Sequence, residues 1–196
     1  MTRPTTLSGN MVAIDVESTG FARKKHDRIC SVGLAYSNGF RSRWLINPGI
    51  PIPAEATEIH KIRDVDVAAA PSFADSAAKL SFMIAASTTA ATLVTHNGKS
   101  FDIPFLATEF ERAGINPEES GLEGSVDILQ WARTMKLPQG HSLAEVARHL
   151  GVRFFGHHEA DADAEATIRV AERLIAVGVM PNDVRLAAEG PRKGTK

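Results

Sequence analysis

Residues Met11 to Glu17 read MVAIDVE, a short apolar and β-branched run that ends on two carboxylates. Side chains alternate along a strand, so Val12, Ile14 and Val16 share one face while Asp15 and Glu17 share the other. Two like charges side by side in a sheet repel and require a compensating cation. The other reading places Glu17 already in the following loop, solvated. Downstream, Arg28 to Ser37 (RICSVGLAYS) and Phe40 to Asn47 (FRSRWLIN) flank Asn38-Gly39. That pair between two such runs predicts a hairpin, with positive φ at both turn positions. Asn47 to Pro53 carries three prolines and is excluded from regular structure. The period then lengthens. Phe73 to Ala86 is predicted helical, with Phe73, Ala77, Leu80 and Ile84 on one stripe, as are Ile103–Ala113, Ser142–Leu150 and Glu159–Val177. Thr92 to His96 (TLVTH) is another strand. The order predicts an α/β domain, a mixed central β-sheet flanked by α-helices.

The 196 residues, 43% hydrophobic and 23% charged, suit one compact domain. We place it over residues 11–180, with 1–10 as a flexible leader and 181–196 as a mobile tail. No apolar run approaches the roughly 20 residues of a membrane span, and MTRPTTLSGN lacks the apolar core of a secretory signal. The single cysteine, Cys30, excludes an internal disulfide framework and fits a reducing, cytoplasmic location. A net charge of −1 gives no global basic excess for nucleic acid. The basic run Arg23-Lys-Lys-His-Asp-Arg28 directly follows the first acidic pair, and reads equally as a phosphate contact or a solvated loop. Aromatics at 6% argue against extended stacking platforms.

Two further carboxylates and a histidine complete the set. Asp102 opens the helix beginning IPFL, where a helix N-cap is the plain reading. It also stands just beyond the carboxyl end of the strand TLVTH, where open α/β sheets place their sites. Asp163 shares its stripe with Thr167, Val170 and Leu174, so it requires a partner; a salt bridge to Arg23, Arg28 or Arg133 would serve. His158 precedes that helix by a spacing that puts it in the loop, and His157 competes with it. Four converging carboxylates would bind hard divalent cations through oxygen. Two such ions roughly 4 Å apart can generate a hydroxide and stabilise an in-line phosphoryl displacement, with histidine as general base.

Asp15-Val-Glu17-Ser-Thr19-Gly20, then His96-Asn97 leading to Phe101-Asp102, then His158-Glu-Ala160-Asp-Ala-Asp163-Ala164 resemble, in order, the three motifs of the DEDDh 3′–5′ exonucleases. That family includes the proofreading ε subunit of bacterial DNA polymerase III and ribonuclease T. Ile46-Asn47-Pro48, Ile59-His60-Lys61-Ile62 and Asp127-Ile-Leu followed by Trp131-Ala-Arg133 are similar to its supporting stretches, so the resemblance spans Met11 to Ala176. HNGKSFD carries one residue more than the common form of the second motif, and Lys61 replaces a usual small residue. The resemblance implies a ribonuclease-H-like fold and removal of nucleoside monophosphates from 3′ ends. Asp15, Glu17, Asp102 and Asp163 would hold two Mg²⁺ ions, with Mn²⁺ able to substitute, and His158 would deprotonate the attacking water. Thr19, Gly20 and Phe21 would meet the terminal nucleotide, with His96, Asn97 and Phe101 nearby, and Asp127 would order a loop. A sister group uses tyrosine in place of the histidine; the only tyrosine, Tyr36, belongs to the hairpin. The implied partner is nucleic acid with a free 3′ end, DNA placed ahead of RNA. A polymerase or repair partner and a homodimer are open to the family. The alternatives are an RNA-trimming enzyme and a non-catalytic module of the same fold.

Overall fold

The computed structural model describes residues 5–7, 10–20, 26–156, 158–179 and 184–186. In chain order the strands are β1 (Thr5–Leu7), β2 (Met11–Ser18), β3 (Ile29–Tyr36), β4 (Arg41–Leu45), β5 (Thr92–Thr95), β6 (Val126–Asp127) and β7 (Val184–Leu186). The α-helices are α1 (Ala54–His60), α2 (Asp64–Val67), α3 (Phe73–Thr88), α4 (Asp102–Arg112), α5 (Leu129–Ala132), α6 (Leu143–His149) and α7 (Ala160–Ala176). A 3₁₀ turn covers Pro117–Ser120.

The central sheet has the order β4-β3-β2-β5-β6. β2 pairs antiparallel with β3 and parallel with β5, and β5 pairs parallel with β6, so the sheet is mixed as expected. The alternation along β2 decides what covers each face. Val12, Ile14 and Val16 pack with Phe73, Leu80 and Phe110 of α3 and α4. Met11 and Ala13 face Trp131, Val146, Ala164 and Ile168 of α5, α6 and α7. Asp15 and Glu17 continue the Met11–Ala13 row, which directs them at α7. Burial of such apolar side chains contributes about 1.5–3 kcal/mol each.

One glycine sets how closely α7 approaches. Gly33 on β3 lies opposite Asp15 on β2. A Cβ there would stand 2.1 Å from the carbonyl carbon of Ala160. The bare backbone at 33 therefore lets the first turn of α7 sit against the sheet beside Asp15.

Several local expectations change. In the hairpin only Gly39 has positive φ, at 89°. The Asn38 side-chain oxygen instead accepts the Phe40 amide at 2.9 Å, giving a longer turn than a two-residue one. Helix α1 starts behind Pro53, just past a segment read as irregular, and β6 has two residues, too few to show a period. In the ends read as mobile, β1 and β7 pair in parallel. No helix among the described residues is long and apolar enough to cross a membrane.

Candidate active site

The end of β2 carries the acidic pair. Glu17 belongs to the strand, opposite Ser31, and the register shifts only after it, so the loop reading of Glu17 is replaced. Asp102 is the first residue of α4, with Phe101 in the cap position. Its Oδ1 accepts the Val16 amide at 2.9 Å, so its side chain bonds across to β2 instead of capping its own helix. Asp163, 7% exposed in the first turn of α7, has both oxygens 3.3 Å from the His158 amide. His158 takes φ 68°, a left-handed bend that folds the loop back over the helix start. Glu17, His158 and Asp163 each present a ligand atom, all within 4.8 Å of one another.

Electrostatics mark these groups as crowded. Burial, then Asp102, Asp163 and Glu17 in turn, raise Asp15 well above the usual carboxylate range. Burial followed by Asp163 and Asp102 pushes Glu17 up to about 8, against a small opposing effect of Arg43. Burial lifts Asp102 to about 7, although backbone amides donated to it pull the other way. These carboxyl groups hold their protons because ionising all of them together, buried and side by side, is costly without a cation. That donor set of hard oxygens fits divalent cations. The arginine bridge considered for Asp163 goes elsewhere. Arg28 donates to both carboxylate oxygens of buried Glu109, at 2.7 and 3.1 Å. Arg23 lies outside the described residues, and Arg133 lines a separate cavity.

Beside the carboxylates is a cavity of about 470 Å³ lined by Glu17, Thr19, Gly20, Ile59, His60 and Phe101 among others. Thr19 and Arg28 hold its rim by two bonds: the Thr19 amide to the Arg28 carbonyl, and the Arg28 amide to Thr19 Oγ1, each 2.9 Å. Phe21, Arg23 to Lys25 and His157 fall outside the described residues. Arg28, the last member of the basic run, is tied down by Glu109, which removes it as a phosphate contact. His96 and Asn97 are not brought to this cavity. They line another, of about 520 Å³, with Arg133 and His141. The carboxylate of Asp127 accepts the Asn97 amide at 2.8 Å, the Lys99 amide at 3.3 Å and the Leu129 amide at 3.0 Å. From the end of β6 it orders that loop, the role the family resemblance implies for it.

His60 carries a role that sequence reading left unassigned. Its Nδ1 accepts the Ile62 amide at 3.1 Å, so Nε2 bears the proton and donates to the Ser18 carbonyl at 3.2 Å. Burial lowers its pKa, which keeps the ring neutral. It pins the end of β2 to α1, and Cys30 Sγ lies 3.8 Å behind it, its thiol pushed by burial up to about 12. The available signal was Pro53 before Ala-Glu, a helix start.

The sequence profile of the RNase_T family, described as Exonuclease, matches residues 12–171. The chain belongs to the exonuclease family. Its three motifs place it with the DEDDh-type 3′–5′ enzymes of that family. PolC-type DNA polymerase III of Staphylococcus aureus is 36% identical over 95 residues, 46% of this chain and 6% of that protein. The fold is ribonuclease-H-like. A structure of exonuclease I aligns with TM-score 0.72 and 19% identity over 85% of this chain and 41% of that one. Escherichia coli exonuclease I in complex with a dT13 oligonucleotide aligns with TM-score 0.70 and 18% identity, over 86% and 42%. This exonuclease chain therefore spans a small part of PolC and less than half of exonuclease I.

Proposed function

We propose that this exonuclease releases nucleoside monophosphates from the 3′ ends of DNA, in proofreading or repair, by a two-metal mechanism with His158 as general base. The observation that carries the reading is the meeting of Glu17, His158 and Asp163 donor atoms within 4.8 Å, beside Asp15 and Asp102. DNA is placed ahead of RNA because the similar proteins are a DNA polymerase and an exonuclease complexed with dT13.

Asp15, Glu17, Asp102 and Asp163 would hold two Mg²⁺ ions, or Mn²⁺ in their place. Bound there, the ions would supply Lewis-acid charge to the phosphate and make water acidic. Every other step belongs to side chains. Thr19, Gly20 and Phe101 border the cavity that takes the terminal nucleotide. His60 keeps that wall in place through the Ser18 carbonyl. His158, on its left-handed loop beside Asp163, takes the proton from the attacking water, a task for which imidazole is suited near neutral pH.

The test is a matched panel of single-stranded DNA, duplex DNA, mismatched ends and short RNA, each labelled to report 3′ shortening, with and without Mg²⁺ or Mn²⁺. Metal-dependent shortening of DNA carries the reading. Preference for RNA would make the chain an RNA-trimming enzyme. No shortening of any substrate, with no effect of metal on melting, would leave a non-catalytic module.

A further inference from the structure

Two further cavities lie near the start of α7 and share Glu159; the nearer is lined by His158 and meets the terminal-nucleotide cavity at His60. One, about 270 Å³, is bordered by Arg43, Lys61 and His158. The next, about 380 Å³, is lined by Arg41, Arg153, Phe155 and Arg169 with Glu159 and Glu165. Arg41 and Arg43 are two apart on β4 and so point the same way. The two cavities meet at Glu159, and the path they make carries Arg41, Arg43, Lys61, Arg153 and Arg169 together with the acids Asp66, Glu159 and Glu165.

Phe155 is 80% exposed, the most exposed large hydrophobic among the described residues. A single exposed ring is ordinary on a protein surface; what sets Phe155 apart is that it lines a cavity with three arginines. Arg153 beside it is exposed and makes no ion pair with a described residue. The other cations are held in surface pairs, Arg169 with Glu165 one turn before it on α7. Arg41 reaches Asp161 at 3.4 Å and Glu165 at 3.1 Å with 48% of its side chain exposed, and Arg43 stands 4.0 Å from Glu159. Exposed pairs of this kind contribute about 0–1 kcal/mol, so a phosphate can take the arginine. A flat aromatic surface flanked by arginines matches a single nucleic-acid strand, base on ring and phosphate on guanidinium.

We propose that this path carries the strand behind the terminal nucleotide, with one base stacked on Phe155 and its phosphates met by Arg41, Arg153 and Arg169. This rests on the exonuclease reading. A single ring gives one stacking position, which suits an enzyme that holds a short stretch of its substrate.

Equilibrium binding of a fluorescent 12-nucleotide single strand in EDTA reads the path without turnover. Phe155→Ala should weaken binding about tenfold and Phe155→Trp should retain it. Arg153→Ala should weaken binding and lower the salt-dependence slope by about 0.7. In turnover with Mg²⁺, the loss of kcat/KM in Phe155→Ala should be greater for the 12-mer than for a dinucleotide. Wild-type affinity in both alanine variants, or an equal loss at every substrate length, would overturn the proposal. So would a poly-glutamate peptide that binds as tightly and suffers the same losses, which would make the occupant an acidic protein segment. A wild-type protein that degrades nothing but binds the strand through Phe155 would sink the exonuclease reading and leave the path standing.

Discussion

At the scale of single residues, the acidic set separates chemistry from stability. Asp163→Asn or Asp15→Asn removes a charge the metals need and relieves repulsion among the others. Release of 3′-labelled nucleotide should fall by about a thousandfold, with circular dichroism unchanged and melting temperature equal or higher. His158→Ala should cost about 10²–10⁴ in kcat while leaving the Mg²⁺ concentration dependence nearly intact. The pH response follows from the same groups. Glu17 is raised from 4.5 to about 8 in the folded chain, so the folded state binds a proton that the unfolded chain has released. Stability without metal must then decline as pH rises from about 4.5 to 8. Glu17→Gln should flatten that decline in denaturant titrations. Metal affinity runs the other way and rises across the same window, because ligation needs the ionised form.

At the scale of elements, what was legible in the sequence was whatever had a period or a fixed chemistry. β2 and β3 were read from β-branched runs, α3 and α7 from their apolar stripes, and Asp15, Glu17 and Asp163 from the faces they share. What escaped was short or non-local. β6 has two residues, α1 hides behind prolines, and the Asp102 bond to Val16 spans 86 positions of sequence. The Arg28–Glu109 pair was equally invisible, since nothing in the run RKKHDR shows which cation turns inward. Two predictions test these elements. Gly33→Ala must push α7 off the sheet, so it should lower stability by about 1–3 kcal/mol and weaken Mg²⁺ binding without touching a ligand. Arg28→Ala leaves Glu109 buried with Arg112 alone, at 3.0 Å. It should cost about 3 kcal/mol in urea unfolding and raise KM, since the Arg28 backbone that holds Thr19 loses its side-chain tether to Glu109.

At the scale of the whole molecule, charge is distributed unevenly, which the net value of −1 conceals. Carboxylates gather at the end of β2, and basic side chains stand along the path beyond His158. Bound cations would change the sign of the first region and leave the second free for phosphate. Occupancy at about 100 times Kd should stabilise the fold by about 2.7 kcal/mol, or about 5–10 °C in melting temperature for a domain of this size. Differential scanning with Mg²⁺, Mn²⁺ and EDTA reads that shift directly.

Cys30 gives a second way to follow the same event. It is the sole thiol of the chain, has no accessible surface, and sits behind the histidine that pins the end of β2. A thiol held protonated and covered reacts with a disulfide reagent only when the fold opens around it. The chain therefore contains its own clock. The rate at which Cys30 is labelled counts openings of the sheet next to the carboxylates, needs no dye or tag, and should slow as metal is added.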